Sequence, residues 1–446
     1  MICPIEYRYG RDRVKDIFSE SKKYDYMLKV EVALVYSYFK LGLISKQDFE
    51  IIEKAAMNVN IDRIKAFEAQ TKHDVMALVL ALTEQAGNSG KYIHLGATSN
   101  DIIDTSTAIQ FKEFIKILKQ DLLDLENVLI SKSNQYKNTI MLGRTHGQWA
   151  LPITFGLKLA VYLDEIHRHL TRVKESEKRV IVGKMLGAVG TGAGFEPYTQ
   201  NIQKIISEYL GINLDFATTQ VVERDRYIEF ISIISNIATT LEKIATEIRN
   251  LQRPEIGEVS EYFDKEKQVG SSTMAHKQNP IVSENICSLA RIIRGFIVPM
   301  HESAILWHER DLSNSASERF IIPHSCVLID DILIKMKNVL DTLIVNEDVM
   351  HANLENARYF VMDEPIIVAL TKKGLGRQQA HEFVRLAAMQ NKRIDEALLN
   401  IPEISKIITK EELESLTIPE RYLGESENII ETVIKNVLED RKESIS

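Results

Sequence analysis

Apolar residues recur along much of this chain at alternating steps of four and three. Phe111, Ile115, Leu118, Leu122, Leu125 and Leu129 form one such run. Phe230, Ile234, Ile237, Leu241, Ile244, Ile248 and Leu251 form another, without a miss. A period near 3.5 residues held over three heptads is the seam of long helices packed at shallow angles, so these positions are predicted to be buried core. Alternating strand patterns are nearly absent. Helix breakers are scarce as well: 10 prolines and 20 glycines in 446 residues, with no proline between Pro4 and Pro152. The punctuation falls in the turn-rich segments 95–104, 143–152, 187–197 and 264–280. The pattern therefore predicts an all-α protein in three parts. A smaller helical unit spans 1–100, a long-helix bundle interrupted by polar loops spans 101–352, and shorter helices fill 353–446.

Composition narrows the class. Hydrophobic residues make up 45% and charged residues 26%, the balance of a globular chain rather than a disordered or collagenous one. With 55 Lys+Arg against 63 Asp+Glu the formal charge is −8, which argues against nucleic acid as the main partner. Local basic pockets for small phosphorylated ligands stay compatible with that sum. Cys3, Cys287 and Cys326 form no CxxC pair, as expected for a reducing interior. The N-terminus lacks the basic stretch and apolar core of a signal peptide, and no apolar run approaches the roughly 18 residues of a membrane span. The expectation is a soluble cytoplasmic protein without membrane partners.

Two tempting motifs fail on spacing. Gly187, Gly190, Gly192 and Gly194 suggest a dinucleotide loop, but GxGxxG breaks at Phe195, and the short strand-like 179–186 before it starts no βαβ unit. Glu165, His167 and His169 suggest a metal, yet positions i and i+2 of a helix point apart, and no HExxH occurs. No metal and no cofactor are expected.

The strongest signal is Gly270-Ser271-Ser272-Thr273-Met274-Ala275-His276-Lys277-Gln278-Asn279-Pro280. It is a Gly-Ser loop bearing hydroxyls, an amide and a lysine, closed by a proline before an apolar-periodic helix. Such a loop can fold over an anion and offer it donors and a cation. A plain linker would account for the glycine and serines, but not for Met274, Lys277, Asn279 and Pro280. Thr98 and Ser99, in His94-Leu-Gly-Ala-Thr-Ser-Asn-Asp, stand at the mouth of a predicted helix, where free N–H groups favour a carboxylate; simple capping would use the same residues. His146 lies in Gly143-Arg-Thr-His-Gly-Gln148, ahead of Pro152.

These three segments, in this order, resemble the shared regions of the fumarase/aspartase superfamily, whose loop is usually written GSSxMPxKxNP. Ala275 departs from it where proline is usual. Four further segments resemble the branch that acts on succinylated purine nucleotides: Arg8-Tyr9, Lys72-His73-Asp74, the stretch around Gln220, and Arg310 through Ser315 to Arg319. The resemblance runs from residue 8 to beyond 380.

The resemblance implies a carbon–nitrogen lyase that releases fumarate by β-elimination from small purine nucleotide substrates. It implies Ser271 as the base, His146 as the acid, Lys277 as the cation at the reacting carboxylate, and His73 in support. Arg8, Tyr9, Lys72, Asp74, Thr98, Ser99, Gln220, Asn279, Arg310, Ser315 and Arg319 would hold the substrate. It further implies a central bundle that forms the core of a homotetramer, with active sites shared between subunits. Argininosuccinate lyase, aspartase, fumarase and muconate cycloisomerase activities share the loop and remain alternatives. So does a catalytically silent helical assembly protein.

Overall fold

The protein is seen here as a computed structural model that describes residues 2–264, 266–270, 272–274, 276–390 and 393–443. Helices dominate it. The longest are Ser99–Gln135, Phe155–Val180, Asp225–Leu251 and Ser315–Asp341, of 37, 26, 27 and 27 residues. At about 1.5 Å per residue the first runs some 55 Å. Its start follows from local chemistry: the Thr98 N–H donates to Asp101 Oδ2 at 2.8 Å, the backbone half of a capping box. Every position of the two predicted seams is buried. Phe111 and Phe230, one from each seam, pack with ring centroids 4.5 Å apart and planes tilted by 44°.

Among the described residues the strands form three two-stranded pieces. Val182–Gly183 runs parallel to Asn213–Leu214, and Val259–Ser260 antiparallel to Ile344–Val345. The third corrects the sequence reading, which took 143–152 as a loop between helices. Ile140–Thr145 and Gln148–Thr154 pair as an antiparallel hairpin. Its two-residue turn is His146-Gly147, with φ of 55° and 74°. Positive φ at both central residues gives a turn whose twist matches the strands. Ile, Thr and Trp in the arms supply β-propensity that a search for helical period passes over.

The chain divides into two compact units, each assembled from separate stretches. The first comprises 1–123, 169–241 and 288–334; the second comprises 124–168, 242–287 and 335–446. In the first, Met27, Leu34, Leu78, Leu82 and Ile102 belong to one buried cluster. In the second, short helices between Asp363 and Leu416 close over Ile366, Leu370, Val384, Leu398 and Leu413. Among the described residues no helix is long and apolar enough to cross a membrane, and no group of three His, Cys, Asp or Glu is placed to hold a metal.

His167 and His169 serve packing instead. His169 Nε2 lies 2.8 Å from Thr240 Oγ1. His167 bridges two carboxylates, with Nδ1 3.0 Å from Glu126 Oε1 and Nε2 2.9 Å from Asp440 Oδ2. Carboxylates only accept, so both ring nitrogens donate and the ring is an imidazolium. The hydrogen bond to Glu126 raises its pKa most; burial opposes it, and Asp440 adds to the rise. A histidine raised in the folded state stabilises fully below its unfolded value near 6.5 and loses that contribution as pH climbs through the folded value. The stability gap between the parent and His167→Gln, read from urea midpoints, should therefore be larger at pH 6 than at pH 9. An equal gap at both would mean that the ring is neutral.

Candidate active site

In the first unit the Ile61–Thr71 helix ends at Lys72, which takes the left-handed conformation at φ 55°. That reversal places His73 as N-cap of the Asp74–Ala86 helix. The Met76 N–H donates to His73 Nδ1 at 3.3 Å, so Nδ1 carries no hydrogen. In the neutral ring the hydrogen is then on Nε2, 3.3 Å from Ser99 Oγ. Helix capping thus fixes the tautomer that faces Ser99. Asp74 Oδ2 lies 3.5 Å from Arg319 and 3.6 Å from Lys23 Nζ.

Two residues beyond Ser99, Asp101 forms a buried ion pair. Lys184 Nζ donates to Asp101 Oδ1 at 2.5 Å, and neither side chain is exposed at all. Asp101 also accepts from the Leu186 and Gly187 N–H groups, both at 3.0 Å. The glycines of 187–194 permit this approach. A Cβ on Gly190 would lie 1.9 Å from the Thr218 carbonyl oxygen, and one on Gly96 would lie 2.8 Å from that of Gly194. They bring three backbones together, which explains a glycine-rich stretch without a nucleotide loop. Upstream, His94 Nδ1 donates at 2.6 Å to the fully buried Glu31. Burial disfavours the His94 charge, but Glu31 overrides it and the pKa ends above the ordinary histidine value.

Gln220 links the glycine-rich stretch to Arg310. Its Nε2 donates to the Ala188 carbonyl at 2.9 Å, and its Oε1 accepts from Arg310 at 2.7 Å. Arg310 Nε is buried without a hydrogen-bond partner. A cavity of about 580 Å³ gathers Lys72, His73, Asp74 and Ser99 on its wall with Gln220, Arg310, Ser315 and Arg319. A second, of about 310 Å³, shares Arg310, Ser315 and Arg319 with it. Arg8 and Tyr9 line neither cavity. Their segment is tied down just beyond, where Gly10 N–H donates to Asp331 at 3.0 Å and Arg11 pairs with Asp330 and Asp121. Thr98 lines neither, and its backbone serves the helix cap.

The second unit carries the other candidates. His146 is exposed at the hairpin tip. The described residues of the signature loop form no helix or strand up to Pro280, where the Ile281–Gly295 helix begins. Glu261 caps that helix, accepting from Val282 N–H at 3.1 Å and Ser283 N–H at 2.6 Å. The neck of the loop is tight: Asn279 Nδ2 donates to the Gly270 carbonyl at 3.1 Å. A Cβ on Gly270 would fall 1.7 Å from the Lys277 carbonyl oxygen, so only glycine fits. Lys277 and Asn279 line a cavity of about 910 Å³ with Arg249, Arg253 and His276. Ser271, the expected base, and Ala275 lie outside the described residues.

Sequence reasoning passed over Lys184, Arg224 and Glu258, all buried. A lone lysine among the apolar residues 180–186 had to be paired inside, and that was the available signal. Arg224 and Glu258 sit among ordinary charged residues and gave none.

Comparisons with known proteins identify the family. Residues 6–295 match the family described as "Lyase", and residues 360–433 match "Adenylosuccinate lyase C-terminus". The adenylosuccinate lyase of Pyrococcus horikoshii is 45% identical over 98% of both chains. That of Methanocaldococcus jannaschii is 44% identical over 98% of this chain and 96% of its own, and that of Aquifex aeolicus 40% over 96% and 98%. Among solved structures, a fumarate lyase from a Mesorhizobium species superposes with a TM-score of 0.88 at 29% identity, covering 96% of this chain and 98% of that one. The 3-carboxy-cis,cis-muconate lactonizing enzyme of Pseudomonas putida gives 0.87 at 26%, covering 98% and 99%. Nearly full-length identity of this order places the fold, the lyase chemistry and the C-terminal helices in one lineage, and the chain belongs to the adenylosuccinate lyase family.

Proposed function

We propose that this chain cleaves adenylosuccinate to AMP and fumarate, and likewise releases fumarate from the succinyl-carboxamide imidazole ribotide to leave its carboxamide product. The observation that carries the reading is the 580 Å³ cavity, where Lys72, Arg310 and Arg319 converge with the fixed His73 tautomer and Ser99. Lys72, Arg310 and Arg319 share the lining with Glu68, Asp74 and Asp311, and their donors suit a nucleotide phosphate and a succinyl carboxylate. Arg8 and Tyr9 would join them from the tethered N-terminal segment.

The elimination removes a proton beside a carboxylate, so charge builds on a group already anionic. Lys277, one remaining Asn279 N–H, Ser99 and Thr98 at the mouth of a long helix are donors for that charge. His146 would protonate the departing nitrogen as the general acid. Ser271 would take the carbon-bound proton, and His73 would support from the nucleotide side. The same reading includes the three-part division at 1–100, 101–352 and 353–446, a cytoplasmic location, and a homotetramer whose active sites combine residues of different copies.

A spectrophotometric assay with adenylosuccinate, argininosuccinate and aspartate in parallel tests the activity, and only the first should turn over. Ser271→Ala should lose about a hundred-fold or more in kcat with little change in KM. Near-normal Ser271→Ala beside a dead Ser272→Ala would move the base by one residue. Arg310→Ala removes a charge-assisted partner worth roughly 1.5–3 kcal/mol, so KM should rise about ten-fold or more. Lysine there should restore part of it, keeping the charge but not the planar fork. An unchanged KM would make Arg310 a partner of Gln220 only. Subunit exchange between inactive His146→Ala and Ser271→Ala proteins should regain activity; none in hybrids verified by mass spectrometry would rule out shared sites.

A further inference from the structure

His146 is a demanding place for an acid. From Thr145 to Trp149 every residue of the hairpin tip is exposed, so the tip has no burial of its own to hold it. A catalytic group must be kept within roughly half an ångström of its working position. The last strongly anchored side chain before the tip is Arg144. Its guanidinium meets Glu258 fork to fork, with Nη1 2.9 Å from Oε2 and Nη2 2.7 Å from Oε1. Nη1 also donates to the carbonyl of Leu142 on its own strand at 3.2 Å.

Glu258 is fixed in turn. Its carboxylate is fully buried and accepts from Asn353 Nδ2 at 2.9 Å, while Asn353 also donates to the Ile256 carbonyl at 2.9 Å. Its backbone N–H donates to Leu251 at 3.0 Å, and its carbonyl accepts from Asn346 at 3.0 Å. The hairpin register is interrupted between Leu142 and Arg144. The site of the irregularity is Gly143, whose missing Cβ would otherwise lie 2.5 Å from the Leu151 carbonyl oxygen. A bulge re-aims the next side chain and sharpens the local twist. Here the re-aimed residue is the one that reaches the buried carboxylate.

We infer that Arg144, clamped by Glu258, is a positioning residue that holds His146 in place for proton transfer. This rests on the reading of His146 as the acid. Arg144 touches no substrate in this scheme and acts only through the two-residue link to the tip. A buried bidentate pair is stiff because both charges and both hydrogen bonds would be lost together.

The test is a double-mutant cycle with adenylosuccinate, using Arg144→Ala, His146→Ala and the pair. Arg144→Ala should lower kcat about ten- to hundred-fold, leave KM within about two-fold, and shift the limb of the kcat–pH profile that reports the acid. With His146 already replaced, removing Arg144 should change the residual rate by less than about two-fold, because residues acting as a unit are not additive. Arg144→Lys should fall between parent and alanine variant and show the same silence without His146. Should Arg144→Ala fail to fold, by circular dichroism and gel filtration, Arg144→Lys and Glu258→Gln run the same cycle. Equal losses with and without His146 would overturn the inference. A near-normal His146→Ala enzyme would instead bring down the acid reading itself.

Discussion

One buried cation organises the first unit. Arg224 is almost wholly enclosed, and its guanidinium is divided between two carboxylates. It donates to Asp104 at 2.9 and 3.0 Å, to Glu318 at 2.7 and 3.2 Å, and to the Val222 carbonyl at 2.7 Å. The Tyr227 ring lies 4.5 Å from it, with its hydroxyl pushed well above the ordinary tyrosine range by burial. Asp104 stands little more than one turn beyond Ser99, and Glu318 adjoins Arg319. Arg224 itself follows Gln220 by four residues. The same ion thus ties together the three segments that bear Ser99, Gln220 and Arg319. Desolvating it costs several kcal/mol, repaid only because its donors are matched, and removal of either acid would leave two of its hydrogen bonds unmade in the interior. The interaction yields placement more than stability.

Asp101 and Lys184 repeat that solution one turn closer to the candidate site. Both are fully buried, and Asp101 takes two backbone N–H groups besides the ammonium. The glycines nearby are the steric complement of this polar knot. Where Gly190 meets Thr218 and Gly96 meets Gly194, any Cβ would push apart backbones whose separation the ion pair requires. Charge pulls the segments in and missing side chains let them arrive. Removing one partner without the other would leave the Lys72–Ser99–Gln220 cavity intact in composition but wrong in shape.

The hairpin raises the opposite problem in a helical protein, since an exposed tip must be held from its base. Helices present side chains along a face, but a two-residue turn projects one beyond the surface at the end of two paired strands. With Arg144 locked to Glu258 below and left-handed backbone at His146 and Gly147 above, the tip has few ways to move. The loop neck at Gly270 and Asn279 follows the same logic, with close backbone contact in place of burial.

Much of this was written in the chain itself. The four-three spacing of Phe111 to Leu129 and of Phe230 to Leu251 determined long buried helices, because a 3.5-residue period has no other compact outcome. The run from Gly270 to Pro280 and the segments around Lys72, Gln220 and Arg310 identified the family, since side-chain identity at fixed spacing is what a shared chemistry preserves. Tertiary structure alone decided the rest. Arg224 and Glu258 do not differ in sequence from solvated charges, and Lys184 stands out only by its apolar neighbours; each became structural only when a partner 60 or more positions away, among them Asp104, Arg144 and Asp101, met it in the interior. The hairpin at His146 was hidden for a related reason. Its strands are short and its arms mix buried and exposed residues without strict alternation, so pairing across the turn, a contact between residues and not a property of either, is what makes it a strand.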